Sequence, residues 1–187
     1  MKKIPFIALL GIVITWAFTA CNDDNESNWE EYREWREANN SWLDEMKSLI
    51  DPETGELFYQ TVTPVYDNTS WVLMHWYNDR SATADNLVPL YTSTVDVKYI
   101  GRTYDDEAFD SSFLNTTYGD SIYRTSLGNV INGWGIALQQ MHVGDSVDVI
   151  IPYALAYGTS GSSSINPYSN LKFSIKLVDI PYYQTPK

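Results

Sequence analysis

Hydrophobic and polar positions alternate most cleanly near the C-terminus, where Leu171, Phe173, Ile175 and Leu177 interleave with Lys172, Ser174 and Lys176. A period of two places the first set on the buried face of a β-strand and the second in water. Shorter apolar runs bounded by turn residues, GELFYQTV, SWVLMHWY, STVDVKYI and DSVDVIIP, predict further strands from Gly55 onward. The period changes upstream, where Trp29, Tyr32, Trp35, Trp42, Met46 and Leu49 recur at helical spacing. Ser27 and Glu30 fit a capping box at its start, and Asp51-Pro52 with Gly55 stops it, which predicts a helix from Trp29 to Ile50. Its aromatic stripe is expected to pack on its own domain. A second, short helix is predicted from Asn132 to Met141, with Trp134, Ala137, Leu138 and Met141 on one stripe and Gly144 beyond its end. One short helix among antiparallel strands gives an α+β class, a sheet curled over that helix, with an N-terminal helical extension.

The first residues read as an export signal. Lys2 and Lys3 precede an apolar run from Ile4 to Phe18, which falls short of the roughly 20 residues that span a bilayer. The run ends in Thr-Ala-Cys and resembles the lipobox of bacterial lipoproteins, with Phe18 where Leu is usual, so Cys21 is the expected lipidation site. The chain is thus expected to be an exported lipoprotein of the bacterial outer membrane, on its periplasmic or outer face, held there by a lipid anchor. Loss of residues 1–20 takes away Lys2 and Lys3 from 12 basic residues, leaving 10 against 24 acidic ones and a net charge of −14. Such a surface excludes nucleic acid as a partner. The NDDNE stretch after Cys21 reads as an acidic tether.

Chemistry that makes or breaks bonds finds little support. His75 and His142 have no neighbouring cysteine or paired acid, so no metal is expected. GTSGS lacks nucleophile-elbow spacing, which leaves Ser160 as a loop residue, and no glycine-rich phosphate loop implies a nucleotide; no cofactor is expected. Asp105, Asp106 and Glu107 fit a solvated turn. Aromatic and apolar residues beside turns are more distinctive: Tyr99, Phe109, Tyr123, Val130, Ile131, Trp134, Tyr157 and Phe173. They suit a core and a pocket rim equally.

The order of the motifs narrows this. VKYIG, FDSS, LGNVINGWGIALQQMHVGD, IPYALAYG and LKFSIKLVDI follow one another, and together they resemble an FKBP-type peptidyl-prolyl cis-trans isomerase over about residues 71–180. The resemblance implies a strongly bent antiparallel half-barrel around one short helix; with the signal read at residues 1–20 and the tether and helix at 21–55, the FKBP-like domain is expected at 56–187. It implies a pocket with Trp134 as its floor, Tyr99, Phe109 and Phe173 as walls, Val130 and Ile131 at the entrance, and Asp110 at the polar edge. Ile131 would offer its backbone N–H and Tyr157 its hydroxyl to substrate carbonyls, while Tyr123 stands where Phe is usual and Ile165 would close the far side. The implied activity is rotation about X-Pro bonds in proline-containing polypeptides during folding of exported proteins, and the implied small ligands are macrolides of the FK506 and rapamycin type. The serine-rich loop from Gly158 to Asn166 departs from the family pattern and ends Ile-Asn-Pro, which points to altered specificity. A non-catalytic chaperone and a carbohydrate-binding lipoprotein are the competing readings.

Overall fold

In the computed structural model, which describes residues 24–183, the chain runs α1 (Asp24–Glu31), α2 (Arg33–Ser48), β1 (Gln60–Val62), β2 (Val72–Trp76), β3 (Thr94–Arg102), β4 (Ala108–Ser111), β5 (Tyr123–Ser126), α3 (Asn132–Leu138), β6 (Ser146–Ile151) and β7 (Leu171–Asp179). The strands form one antiparallel sheet in the order β1-β2-β6-β7-β3-β4, with β5 also paired to β3. Its centre is the long pairing of β3 with β7, from Asp96 opposite Asp179 to Arg102 opposite Lys172. Register slips between Asp96 and Val97 against β7, and between Gly101 and Arg102 against β4, mark bulges. Bulges increase local twist and bend the strand that carries them.

The sheet folds over α3. Trp134, Ala137, Leu138 and Met141 share one core with Val95 and Val97 of β3, Val149 and Ile151 of β6, and Phe173, Ile175 and Leu177 of β7. Gly133 makes the close seating possible, because a Cβ there would collide with the Ile151 side chain. The helix is shorter than expected, ending at Leu138. Tight turns from Gln140 N–H to Ala137 and from Met141 N–H to Leu138 carry the chain on, so Met141 still reaches the core.

α2 covers the opposite face at the β2/β6 end. Leu43 packs with Tyr59, Leu73 and Ile150, and Trp42, Met46 and Leu49 close around them. This second layer accounts for the difference from β7, which alternates: Leu73 and Ile150, turned away from the α3 core, are buried beneath α2, so β2 and β6 keep apolar residues buried on both faces. The aromatic stripe therefore packs on its own domain. A buried amide pair fixes the join, with Asn170 donating from its N–H to Asn39 Oδ1 and from Nδ2 to the Asn39 carbonyl, both at 2.8 Å. Asn170 Oδ1 in turn accepts from the Tyr153 N–H at 2.8 Å. Trp35 donates from its indole N–H to Ser169 Oγ at 3.0 Å and sets its ring edge-on to Tyr104.

Several expectations are corrected. The N-terminal helix begins at Asp24, so Ser27 lies inside it and not at its start, and it is interrupted at Tyr32, whose N–H and C=O still bond Asn28 and Arg36. The run GELFYQTV yields only three strand residues, Gln60–Val62. β4 and β5 were not foreseen. Cys21 and the signal and tether residues before Asp24 lie outside the described residues.

If the amide pair holds α2 as part of the domain, Asn39→Leu, which strips an acceptor from a buried N–H, lowers unfolding free energy by about 1–3 kcal/mol in urea titration of the full chain. An unchanged midpoint would mean that α2 is only loosely applied.

Candidate binding cleft

β3 supplies the first wall. Tyr99 is buried, its ring edge-on to Trp134 at 5.0 Å and near Tyr123 at 5.6 Å. Its hydroxyl donates to Asp110 Oδ2 at 2.6 Å, and Asp110 Oδ1 accepts the Ser111 N–H at 2.8 Å. The FDSS motif thus has two jobs, because Ser112, fully buried, accepts the Tyr99 N–H on its Oγ and donates its own N–H to the Tyr99 carbonyl. One serine pins β4 against β3 while the aspartate orients the tyrosine. Burial, and then the hydrogen bond and charge of Asp110, hold the Tyr99 phenol well above its usual range.

Trp134, in the first turn of α3, is only 4% exposed. Phe173 of β7 stands perpendicular to it at 5.3 Å, and Phe109 stands perpendicular to Phe173 at 5.6 Å. The edge-to-face geometry suits ring quadrupoles and fixes each ring by the next. Gly101 admits this stack, since a Cβ there would lie 2.6 Å from Phe109 and 2.7 Å from Phe173. Among the described residues no group accepts from the Trp134 indole N–H.

The entrance is made by backbone. Leu127, buried, anchors a short 3₁₀ turn from Leu127 to Asn129 by donating its N–H to Ser93. Val130 and Ile131 then run extended into α3, and the Ile131 carbonyl accepts the Trp134 N–H at 3.0 Å. The Ile131 N–H is used by no group among the described residues. Across the opening, Tyr157 is 39% exposed and its hydroxyl makes no hydrogen bond among the described residues. Burial, the Asp110 charge and Tyr123 push its phenol upward, so it remains a donor at neutral pH.

These pieces enclose a cleft of about 200 Å³ lined by Tyr99, Asp110, Tyr123, Asn129, Val130, Ile131, Trp134, Tyr157 and Phe173. Eight residues expected from the sequence meet there. Phe109 and Ile165 do not: Phe109 backs Phe173 from behind, and Ile165 is buried in the core, its backbone paired both ways with Ser162. Asn129 was missed, because only the turn after Leu127 brings it to the rim. Of the glycines beside Trp134, Gly133 meets the sheet at Ile151 and Gly135 meets the Tyr91 ring, so neither opens the backbone to the cleft. His75 Nδ1 bonds the Phe58 carbonyl and His142 lies beside buried Asp145, both away from the cleft. Among the described residues no three candidate metal ligands cluster. The arrangement is an aromatic cleft edged by one carboxylate, and the Ile131 N–H and the Tyr157 hydroxyl are among the donors it leaves unused within the described residues.

Comparison with known proteins agrees with this geometry. Residues 89–178 match the family model described as FKBP-type peptidyl-prolyl cis-trans isomerase. The chain is 41% identical over 93 residues to a macrophage infectivity potentiator of Trypanosoma cruzi, covering 49% of this chain and 45% of that protein. It is 36% identical over 97 residues to an FKBP-type 22 kDa peptidyl-prolyl cis-trans isomerase of Escherichia coli, covering 51% of this chain and 45% of that protein. The matched stretch is thus less than half the length of these curated relatives. A crystal structure of a peptidyl-prolyl cis-trans isomerase from Pseudomonas syringae superposes with a TM-score of 0.61 at 26% identity, covering 79% of this chain and 94% of that one. On motif order, sheet topology and these matches, the chain carries a domain of the FKBP-type peptidyl-prolyl cis-trans isomerase family.

Proposed function

We propose that the cleft accelerates rotation about X-Pro amide bonds in polypeptide clients. The observation that carries this is the pairing of a buried aromatic floor, Trp134 with Tyr99 and Phe173, with unused donors at the mouth, the Ile131 N–H and the Tyr157 hydroxyl. The names borne by the relatives support it.

The barrier to rotation, about 18–20 kcal/mol, comes from amide resonance, which makes the planar amide more dipolar than the twisted one. A prolyl ring seated on Trp134 places the amide against aromatic surface, where the dipolar planar form loses solvation and the twisted form loses less. Hydrogen bonds from Ile131 and Tyr157 to carbonyls flanking the bond hold the substrate while the amide turns. No covalent step occurs, so no nucleophile is required. Macrolides of the FK506 and rapamycin type would compete for the same cleft.

The export reading is a further proposal, resting on sequence: residues 1–20 are a secretory signal and lipid on Cys21 anchors the protein at a bacterial outer membrane, where its clients are exported chains. No described helix is long and apolar enough to cross a membrane.

Four outcomes are expected. Tyr157→Phe lowers kcat/KM for a Phe-Pro tetrapeptide about five- to tenfold, the loss of one hydrogen bond of about 1–1.4 kcal/mol, while Trp134→Leu abolishes acceleration in a chain whose fold is verified by circular dichroism. Wild-type kcat/KM stays flat from about pH 7 to 9, because a phenol pushed upward keeps its proton below its ordinary value near 10 and loses it only as pH rises beyond. Cys21→Ser eliminates incorporation of labelled palmitate in a bacterial host; equal labelling of both chains would contradict the anchor.

A further inference from the structure

A second cleft, of about 510 Å³, lies against α3 from another side. Asn132, Ile136 and Gln139 form its helical wall, Leu155 one end, and Tyr66, Asp67, Ser70 and Tyr91 the rest. None of these residues lines the first cleft. The two clefts nevertheless share a ridge: Asn132 follows Ile131 directly, and Leu155 precedes Tyr157 by two positions. The residues flanking that ridge include both donors proposed to hold the client's carbonyls.

The geometry points to this second cleft as a subsite for the client chain beyond its proline, selective for an extended segment with aromatic or aliphatic residues and a lysine or arginine. This rests on the isomerase reading above. Its walls suit such a segment. Tyr66 and Tyr91 are 73% and 54% exposed, large aromatic surface held at the protein boundary, and Val65 and Leu90 beside them in sequence are exposed as well. Tyr91 is backed by α3, its ring 3.7 Å from where a Gly135 Cβ would lie, so it presents a fixed platform. Asn132 and Gln139 bring amide groups of the type that bond a peptide backbone. Gln139 is itself braced by donating from Nε2 to the Gly135 carbonyl at 2.7 Å, which leaves its carbonyl oxygen for a client N–H.

The charge is selective. Asp67 is the only lining residue with an ionised side chain at neutral pH, and it is fixed by the Thr69 N–H and hydroxyl on Oδ1 and the Ser70 hydroxyl on Oδ2. These bonds hold its carboxyl down to about 2. A cationic side chain meets both a carboxylate and two tyrosine faces there, whereas an acidic one meets repulsion from Asp67 and from the net charge of −12. The stripe from Asn132 to Gln139 is about 10 Å long at 1.5 Å per residue, room for about three residues of extended chain. A neutral oligosaccharide would also find tyrosines and amides in the cleft, but it would leave the ridge and the carboxylate without a role.

The test uses the full chain and three substrates: a Phe-Pro tetrapeptide, and the same core extended by Tyr-Lys-Leu on its N-terminal or its C-terminal side. One extended substrate is expected to show a KM at least fivefold below that of the tetrapeptide. Tyr91→Ala should bring that ratio close to one, and replacing Lys by Glu in the extension should raise KM in wild type but make little difference in Asp67→Asn. Equal KM for all three peptides, or a ratio that survives Tyr91→Ala, overturns the subsite. Binding of maltoheptaose that depends on Tyr91 and displaces no peptide reassigns the cleft to glycans and overturns it as well. Failure to turn over even the tetrapeptide strikes the isomerase reading instead, so the two failures are distinguishable.

Discussion

The fold depends on one tight contact, the seating of α3 on the end of β6 at Gly133, where only a hydrogen fits against Ile151. That contact sets the depth at which Trp134 enters the core, and Trp134 sets the cleft. Tyr99 and Phe173 stand edge-on against it from two different strands, and the strands themselves are joined by the β3/β7 ladder. A bulkier residue at position 133 would have to lift the helix or displace Ile151, and in either case the aromatic floor would move with it.

The remaining elements hold that floor in place or furnish its rim. The FDSS motif attaches β4 to β3 and orients the Tyr99 hydroxyl through Asp110. From the other face α2 reaches the base of the loop that carries Tyr157: Asn39 holds Asn170, and Asn170 holds the Tyr153 N–H at the start of the turn leading to Tyr157. An extension that lies outside the family match, which begins at residue 89, is therefore built into the support of the cleft.

Much of this was legible in the sequence where side-chain period and local chemistry agreed. The alternation of β7, the short apolar runs, the apolar stripe of α3 and the order of the motifs were enough to give five of the seven strands, the helix and eight of the nine residues around the cleft. β4 and β5 escaped because each has only four residues, with partly exposed patterns built on Asp, Ser, Arg and Thr; pairing with β3, not propensity, makes them strands. Ile165 was misplaced for a related reason: pairing of Ser162 with Ile165 turns the loop inward, and a loop sequence carries no period from which to read such a turn. The extent of the N-terminal helix was misjudged because Ser27 has the chemistry of a cap, while the helix had already begun at Asp24.

The central claim, that the Trp134 cleft turns X-Pro bonds, is tested most directly by two-dimensional exchange NMR on a Phe-Pro peptide with a substoichiometric amount of the full chain, read alongside a peptide titration of the isotope-labelled protein. The account predicts cis/trans exchange peaks that are absent without protein, together with shifts of the Trp134 indole and Ile131 amide resonances. Shifts at those two groups without exchange would show a cleft that holds proline without turning it; exchange without the shifts would place the activity elsewhere on the molecule, and either result contradicts the account.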